Sequence, residues 1–287
     1  MHLPPFKYAA PKTVAGAVSA QITSGKFLAG GTDLLVALKE KIAAPDILID
    51  LNNIARLKGV KRDQKTKEIR LGALTTLAQL KKNPLIRRHF PALAQTVELV
   101  STLQLRNMGT LGGNLCLDTR CTYYNQPSFL KKRWEPCLKV GGKICHVVKG
   151  KKICHAVYSG DMAGLLIALG ARLRVSGPRG MHAINLKKFF TGSGIKPNIL
   201  QYNEILTEVR LPPMPAFAGL SYRKLRLRDT MDFPLLGVAV FIQLEGKDGK
   251  CRDVRLVLSA VGPAPLMVEE ARTLLTILHP HPGIAGR

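Results

Sequence analysis

Acidic residues are scarce in this chain. It carries 19 Asp and Glu against 43 Lys and Arg, a formal charge of +24. Such an excess speaks to partners and not to fold. It is compatible with nucleic acid, with an acidic protein surface, or with a basic face that only keeps the chain soluble. Aromatic residues are also few, at 6% with a single Trp, and no helix-turn-helix or RNP-like pattern is present, so nucleic acid is not expected as a partner. Long apolar runs are missing. The longest, Met162 to Leu169, falls far short of the ~18 residues that span a bilayer. The start, Met1-His2-Leu3-Pro4-Pro5, lacks the charged region, apolar core and cleavage site of a secretory signal. The expectation is a cytoplasmic protein with no membrane span. A GxGxxG fingerprint is absent, which argues against a Rossmann dinucleotide site.

What is present points to small α/β units followed by antiparallel strands. Apolar residues recur at helical spacing from Thr13 to Thr23, and Gly25 ends that run. Phe27-Leu28-Ala29 reads as a strand that runs into Gly30-Gly31-Thr32-Asp33, with a helix expected from Leu34 to Ile42. Further strands are predicted at residues 47–51 and 69–74, and helices at 77–82, 89–99 and 162–169. From Ile205 onward the alternation is that of an antiparallel sheet, with Val238–Leu244 meeting Val254–Val261 across a turn at Lys247-Asp248-Gly249. A last helix is expected near Leu266, and Leu278-His279-Pro280-His281-Pro282-Gly283 does not read as helical.

Two glycine loops carry candidate chemistry. Gly30-Gly31-Thr32-Asp33 joins a strand to a helix, where outward N–H groups and the helix dipole favour a phosphate. One Gly-Gly-Thr is weak evidence, since ordinary tight turns look alike. A second loop, Thr110-Leu111-Gly112-Gly113-Asn114, adds another N–H-rich turn. Two such loops suit a long ligand with a central pyrophosphate, such as FAD.

Cysteine supplies the third feature. Of Cys116, Cys121, Cys137, Cys145, Cys154 and Cys251, four follow the spacing C-x15-C-x7-C-x8-C from Cys121 to Cys154. In a cytosolic chain such a group reads as metal-binding. Four thiolates close either a zinc site or a 4Fe–4S cluster. The short knuckles common in zinc sites are absent, so spacing leans slightly to iron. Cys116 and Cys251 read as small apolar residues. His146 and His155 each follow a cysteine and are not counted as ligands. Between Arg120 and His155 there are nine Lys or Arg, Lys151 among them, against one acid, Glu135.

Ala29-Gly30-Gly31-Thr32-Asp33-Leu34 and Thr110-Leu111-Gly112-Gly113-Asn114 resemble the two FAD loops of the flavoprotein subunits of molybdenum hydroxylases, the family of xanthine dehydrogenase and carbon monoxide dehydrogenase. Ser159-Gly160-Asp161, Glu204-Ile205-Leu206 and Tyr222-Arg223-Lys224 resemble later segments of the same family. The stretch Gly113 to Gln126, together with Cys137-Leu138-Lys139, Cys145-His146-Val147 and Val261 to Val268, resembles the branch that includes the beta subunit of 4-hydroxybenzoyl-CoA reductase.

The resemblance implies an α+β fold: a two-part FAD-binding domain of the PCMH (vanillyl-alcohol oxidase) type, then an antiparallel-sheet domain with a shortened helical C-terminus. Its expected divisions are 1–58, 59–176 with a cluster-bearing insertion at 117–158, and 177–287. It assigns FAD contacts to Phe27, Leu28, Ala29, Gly30, Gly31, Thr32, Asp33, Leu34, Ser101, Thr110, Leu111, Gly112, Gly113, Asn114, Asp161, Leu206 and Lys224. It assigns a 4Fe–4S cluster to Cys121, Cys137, Cys145 and Cys154. No catalytic residue is expected on this chain. The implied role is an electron relay beside a molybdopterin-containing large subunit and a 2Fe–2S small subunit, with ferredoxin as donor. Basic residues around the cluster loop would steer an acidic donor. A related aldehyde, xanthine or aryl-CoA oxidoreductase would use the same subunit design. The rival of a different class is a basic zinc-binding module that recognises nucleic acid.

Overall fold

The computed structural model describes residues 2–150, 152–229, 231–247 and 249–277. Lys151 of the basic loop, Asp248 of the expected turn and the stretch from Leu278 onward lie outside the described residues.

Three sheets follow one another along the chain. The first is parallel, in the order β1-β3-β2, with β1 at Lys7–Ala9, α1 at Val14–Ala20, β2 at Lys26–Leu28, α2 at Leu34–Lys39 and β3 at Ile47–Asp50. Thr13 caps α1 through Gly16 N–H, and Val14 and Ala17 face inward. They pack with Ile49, Leu51, Ile54 and Leu57 in a small separate core.

The second sheet has five antiparallel strands. It is built from β4 (Val60–Arg62) and β5 (Ile69–Gly72), and from β6 (Arg172–Gly177), β7 (Gly180–Asn185) and β8 (Ile205–Leu211), in the order β4-β5-β8-β6-β7. Between β5 and β6 run the helices α3 (Leu77–Lys82), α4 (Pro84–His89), α5 (Pro91–Glu98), α6 (Leu103–Met108), α7 (Leu111–Leu115), α8 (Ser128–Lys131) and α9 (Asp161–Leu169). Thr76 and Gln79 form a capping box on α3, and Asn83 caps α4 ahead of Pro84. After its first residue, Asp161, helix α9 is apolar all round, and it is buried along its full length. It is the centre of the main core.

The third sheet is a meander of β9 (Ala218–Leu225), β10 (Leu236–Leu244), β11 (Cys251–Ser259) and β12 (Leu266–Met267). Its inner face, Tyr222, Ala239, Phe241 and Val257, belongs to the same core as α9. The helix α10 (Glu269–Ile277) packs against β11.

The sheet order differs from the expected divisions in one respect. The strands β7 and β8 lie beyond residue 176, yet they complete the five-stranded sheet begun by β4 and β5, so a division at that point would cut it. The periodicity of β7 is hidden because the strand is exposed on both faces, leaving no apolar alternation to read. No helix of the described residues is long and apolar enough to cross a membrane.

Candidate functional site

The first glycine loop leaves β2 and enters α2. Gly31 takes a φ of 71°, a left-handed conformation that favours glycine. Gly30 is needed for a different reason: a Cβ there would collide with the Met108 carbonyl. Gly109 lies in turn near the Thr32 hydroxyl, and Gly113 near the Ala29 methyl. Two stretches remote in sequence therefore meet backbone to backbone. Asn52 Nδ2 fixes the approach by donating to the Ala29 carbonyl at 2.9 Å and to Asp50 Oδ1 at 2.7 Å.

The two loops differ in what they offer a ligand. Among the described hydrogen bonds, none is donated by the backbone N–H of Gly30, Gly31, Thr32 or Asp33. The second loop is occupied. Leu111 N–H goes to Thr75 O, Gly112 to Ala73 O, Asn114 to Thr110 O, and Gly113 to Thr110 Oγ1. The expectation of a second N–H-rich turn is thus corrected: α7 uses those donors in its own first turn and in holding onto the 73–75 segment. Ser101, ahead of α6, has a φ of 49°, and Arg106 bonds the carbonyls of Glu98, Val100 and Ser101.

The residues 161 and 224 come together although 63 positions apart. Asp161 opens α9 and is 5% exposed. It accepts from Tyr222 Oη at 3.0 Å and from Lys224 Nζ at 3.1 Å. Lys224 also donates to Leu99 O and Asp232 O, so all three of its protons are used. Burial raises the Asp161 carboxyl above its ordinary value, against the opposing pull of Lys224 and Tyr222. Asn114 links this pair to the second loop: its Oδ1 accepts from Met162 N–H, and its carbonyl accepts from Tyr158 Oη. Leu206 is buried within β8 in the main core.

The cysteine segment hangs from a two-residue neck. Arg120 and Val157 exchange backbone hydrogen bonds at 2.7 and 2.8 Å, closing residues 121–156 into one loop. Arg120 reaches out of the neck to Asp33 Oδ1 at 2.6 Å and stacks over the Phe233 ring at 4.4 Å. The loop therefore grips the first glycine loop directly. Inside it, one recess is lined by Cys121, Cys137, Cys145 and Cys154 together. Among the described residues, no three His, Cys, Asp or Glu side chains converge closely enough for a single metal ion.

The thiols have distinct surroundings. Burial works to raise Cys145, but the N–H groups of Val148, Val147 and His155 overcome it and hold the thiol below its usual value. Cys154 is raised by burial, opposed by Ala156 N–H and the Lys139 charge. Lys139 forms part of the recess wall, with its side chain 4% exposed and Nζ bonded to Asp118 at 2.7 Å, Thr119 at 2.5 Å and Gly194 O at 2.7 Å. His146 also lines the recess, with its Nε2 bonded to Glu135 O and its ring against Tyr123. His155 Nε2 is buried without a partner at the recess. Cys116 is pushed up to about 12 by burial, and Cys251 is likewise raised by burial, in keeping with inert thiols. The contributions of Arg120, Lys139, Tyr222, Asn52 and Phe233 were not singled out by sequence. Arg120, Lys139 and Tyr222 were visible there only as members of a basic run or of segments resembling the family.

Comparison with known proteins agrees with this geometry. A family profile described as the FAD binding domain in molybdopterin dehydrogenase matches residues 4–214. The chain is 34% identical over 284 residues to the aldehyde oxidoreductase FAD-binding subunit of Escherichia coli, covering 94% of this chain and 86% of that protein. It is 30% identical over 275 residues to the carbon monoxide dehydrogenase medium chain of Hydrogenophaga pseudoflava, covering 95% and 80%. A solved carbon monoxide dehydrogenase from that organism, lacking the Mo-pyranopterin moiety of its cofactor, superposes with a TM-score of 0.79 at 28% identity over 99% of this chain and 84% of that one. The chain therefore belongs to the FAD-binding medium-subunit family of the molybdenum hydroxylases and is an oxidoreductase subunit.

Proposed function

We propose that this chain is an electron relay holding both FAD and a 4Fe–4S cluster, within a molybdenum enzyme of the 4-hydroxybenzoyl-CoA reductase type. The observation that carries the cluster is the single recess lined by Cys121, Cys137, Cys145 and Cys154. Their failure to converge on one point speaks against zinc, whose four ligands sit about 2.3 Å from one ion. A cubane keeps its thiolates further apart. The orphaned His155 Nε2 and the N–H groups aimed at Cys145 suit a group that carries sulfide and negative charge. The donor chemistry therefore fits.

FAD supplies exchange between two-electron and one-electron partners, and a 4Fe–4S cluster supplies one-electron storage. The residues of this chain bind and orient. The open N–H groups of Gly30 to Asp33 would receive the pyrophosphate, with the Thr32 hydroxyl beside them. Asp161, held by Tyr222 and Lys224, presents a fixed polar group at the head of α9. Arg120 ties Asp33 to the neck of the cysteine loop, and so holds the two cofactor regions in register. Substrate chemistry would fall to a molybdopterin subunit, with a 2Fe–2S subunit between and ferredoxin as donor. The likeness of residues 113–126, 137–139 and 145–147 to the 4-hydroxybenzoyl-CoA reductase branch supports that choice over xanthine or aldehyde substrates.

The test is metal and flavin analysis of the purified chain. Iron with acid-labile sulfide and FAD is the expected content, and Cys137→Ser should lose most of the iron while keeping flavin. Zinc in place of iron would end the proposal.

A further inference from the structure

The five-stranded sheet carries an arrangement of arginines that the flavin and cysteine sites do not use. Along β5, β8 and β6 the inward residues Ile69, Leu71, Val209, Leu211, Leu173 and Val175 are buried. The residues between them face away from this core. In register, Arg70 lies opposite Arg210, and Arg210 lies opposite Arg172. Like charges directly across a sheet are destabilising. Within that row the charges are offset by nearby acids, Glu68 also lying 3.9 Å from Arg210. Asp63 pairs with Arg70, Glu68 with Arg172, and Glu208 with Arg210 at 2.6 Å. Glu208 stands opposite Arg174 in the ladder but bonds Arg210 instead. Arg174 has no carboxylate within ion-pair distance among the described residues, and Arg70 Nε is buried without a partner. Arg56 adds a fifth guanidinium, whose contact is the Met181 sulfur at 3.7 Å.

These side chains do not form a flat field. Arg56, Arg70, Arg174 and Arg210 line one recess of about 200 Å³, with Glu208 as its only acid. It shares no lining residue with either glycine loop or with the cysteine recess. Guanidinium groups fixed around a concavity present forked donors matched to phosphate oxygens. We infer that this recess is a second anion site, separate from the flavin, which binds the phosphate group of a small molecule. A bound phosphate would supply the acceptors that Arg174 and Arg70 Nε lack. Its concave shape favours a compact ligand over an acidic protein face.

The test uses the flavin-loaded protein, so that the flavin's own pyrophosphate loop is filled. Titration calorimetry with inorganic phosphate, pyrophosphate and ADP, against chloride at matched ionic strength, should give saturable binding for phosphate species only. The order of affinity among the three arms tells free phosphate from a nucleotide source. Arg174→Gln should weaken binding at least tenfold with flavin content unchanged. Arg56→Gln, on an exposed side chain, should weaken it several-fold and covers the case in which the strand variant folds poorly. Equal heats with chloride, or affinity unchanged in both variants, would overturn the inference. So would binding to the isolated chain that vanishes in the assembled complex, because the recess would then be a subunit contact.

Discussion

The flavin region and the cysteine loop are neighbours built on opposite principles. The flavin region is positioned by packing. Its loops are the ends of regular elements, Gly30 is pressed against the Met108 carbonyl, and α9 behind it is buried along its full length. Among its described residues the cysteine loop has one four-residue helix and a single turn of 3-10 helix. Its contacts are polar and aromatic: Lys139 bonded on three sides, Tyr123 against Trp134 at 5.4 Å and against His146 at 5.0 Å. Among the described residues, Arg120 joins the two regions through its ion pair with Asp33. The flavin region should hold its shape without a cofactor, whereas the loop should depend on what its thiols bind.

Changes confined to one region sharpen or break that contrast. The largest effect is expected from Gly30→Val. A side chain there cannot coexist with the Met108 carbonyl, so flavin content should fall close to zero while the iron of the proposed cluster stays near that of the parent. Parallel loss of iron would show that the two regions are not independent. Next comes Lys224→Met, which strands the buried Asp161 carboxylate. Removing one partner of a buried pair costs roughly 3–5 kcal/mol, read as a lower urea midpoint, and Asp161→Asn in the same chain should recover part of it.

The same pair sets a pH dependence of definite sign. Burial raises Asp161 above its ordinary value of 3.8, so the folded chain holds that proton to higher pH than the unfolded chain. Its contribution to stability is complete below that ordinary value and is lost as pH rises through the raised one. Asp161→Asn should remove this decline from the urea midpoint measured across mildly acidic pH. An identical pH profile in the variant would place the slope elsewhere. The smallest effect concerns the loop. Lys139→Met takes a charge from the wall of the cysteine recess, and Asp118 already offsets part of it. With iron retained, the midpoint potential should move negative by at most about tenfold in the reduction equilibrium, ~59 mV for one electron. An unmoved potential would mean that Lys139 only braces the loop.

Much of the flavin region was legible in the sequence because local rules govern it. The Gly30-Gly31 turn, the helix behind it and the strand before it all carry signals within a few residues. The helix from Met162 to Leu169 and the meander from β9 to β11 were equally plain, through apolar content and alternation. What stayed hidden depends on pairing over distance. The meeting of Asp161 with Lys224 is fixed by how β9 passes the head of α9. The silent N–H groups of the second loop are fixed by the 73–75 segment lying beside it. The cysteine spacing pointed to a shared metal, but spacing alone carries nothing about Lys139, since a lysine in a basic run reads as solvated until its burial is seen.

The neck at Arg120 and Val157 has a consequence for how such a subunit changes over time. Its two strands of backbone lie a hydrogen bond apart, so the whole span from 121 to 156 begins and ends at the same place. A span of that kind is a cassette. It can be spliced into or trimmed out of a flavoprotein gene without cutting a strand of any of the three sheets, leaving a short turn where the four thiols had been.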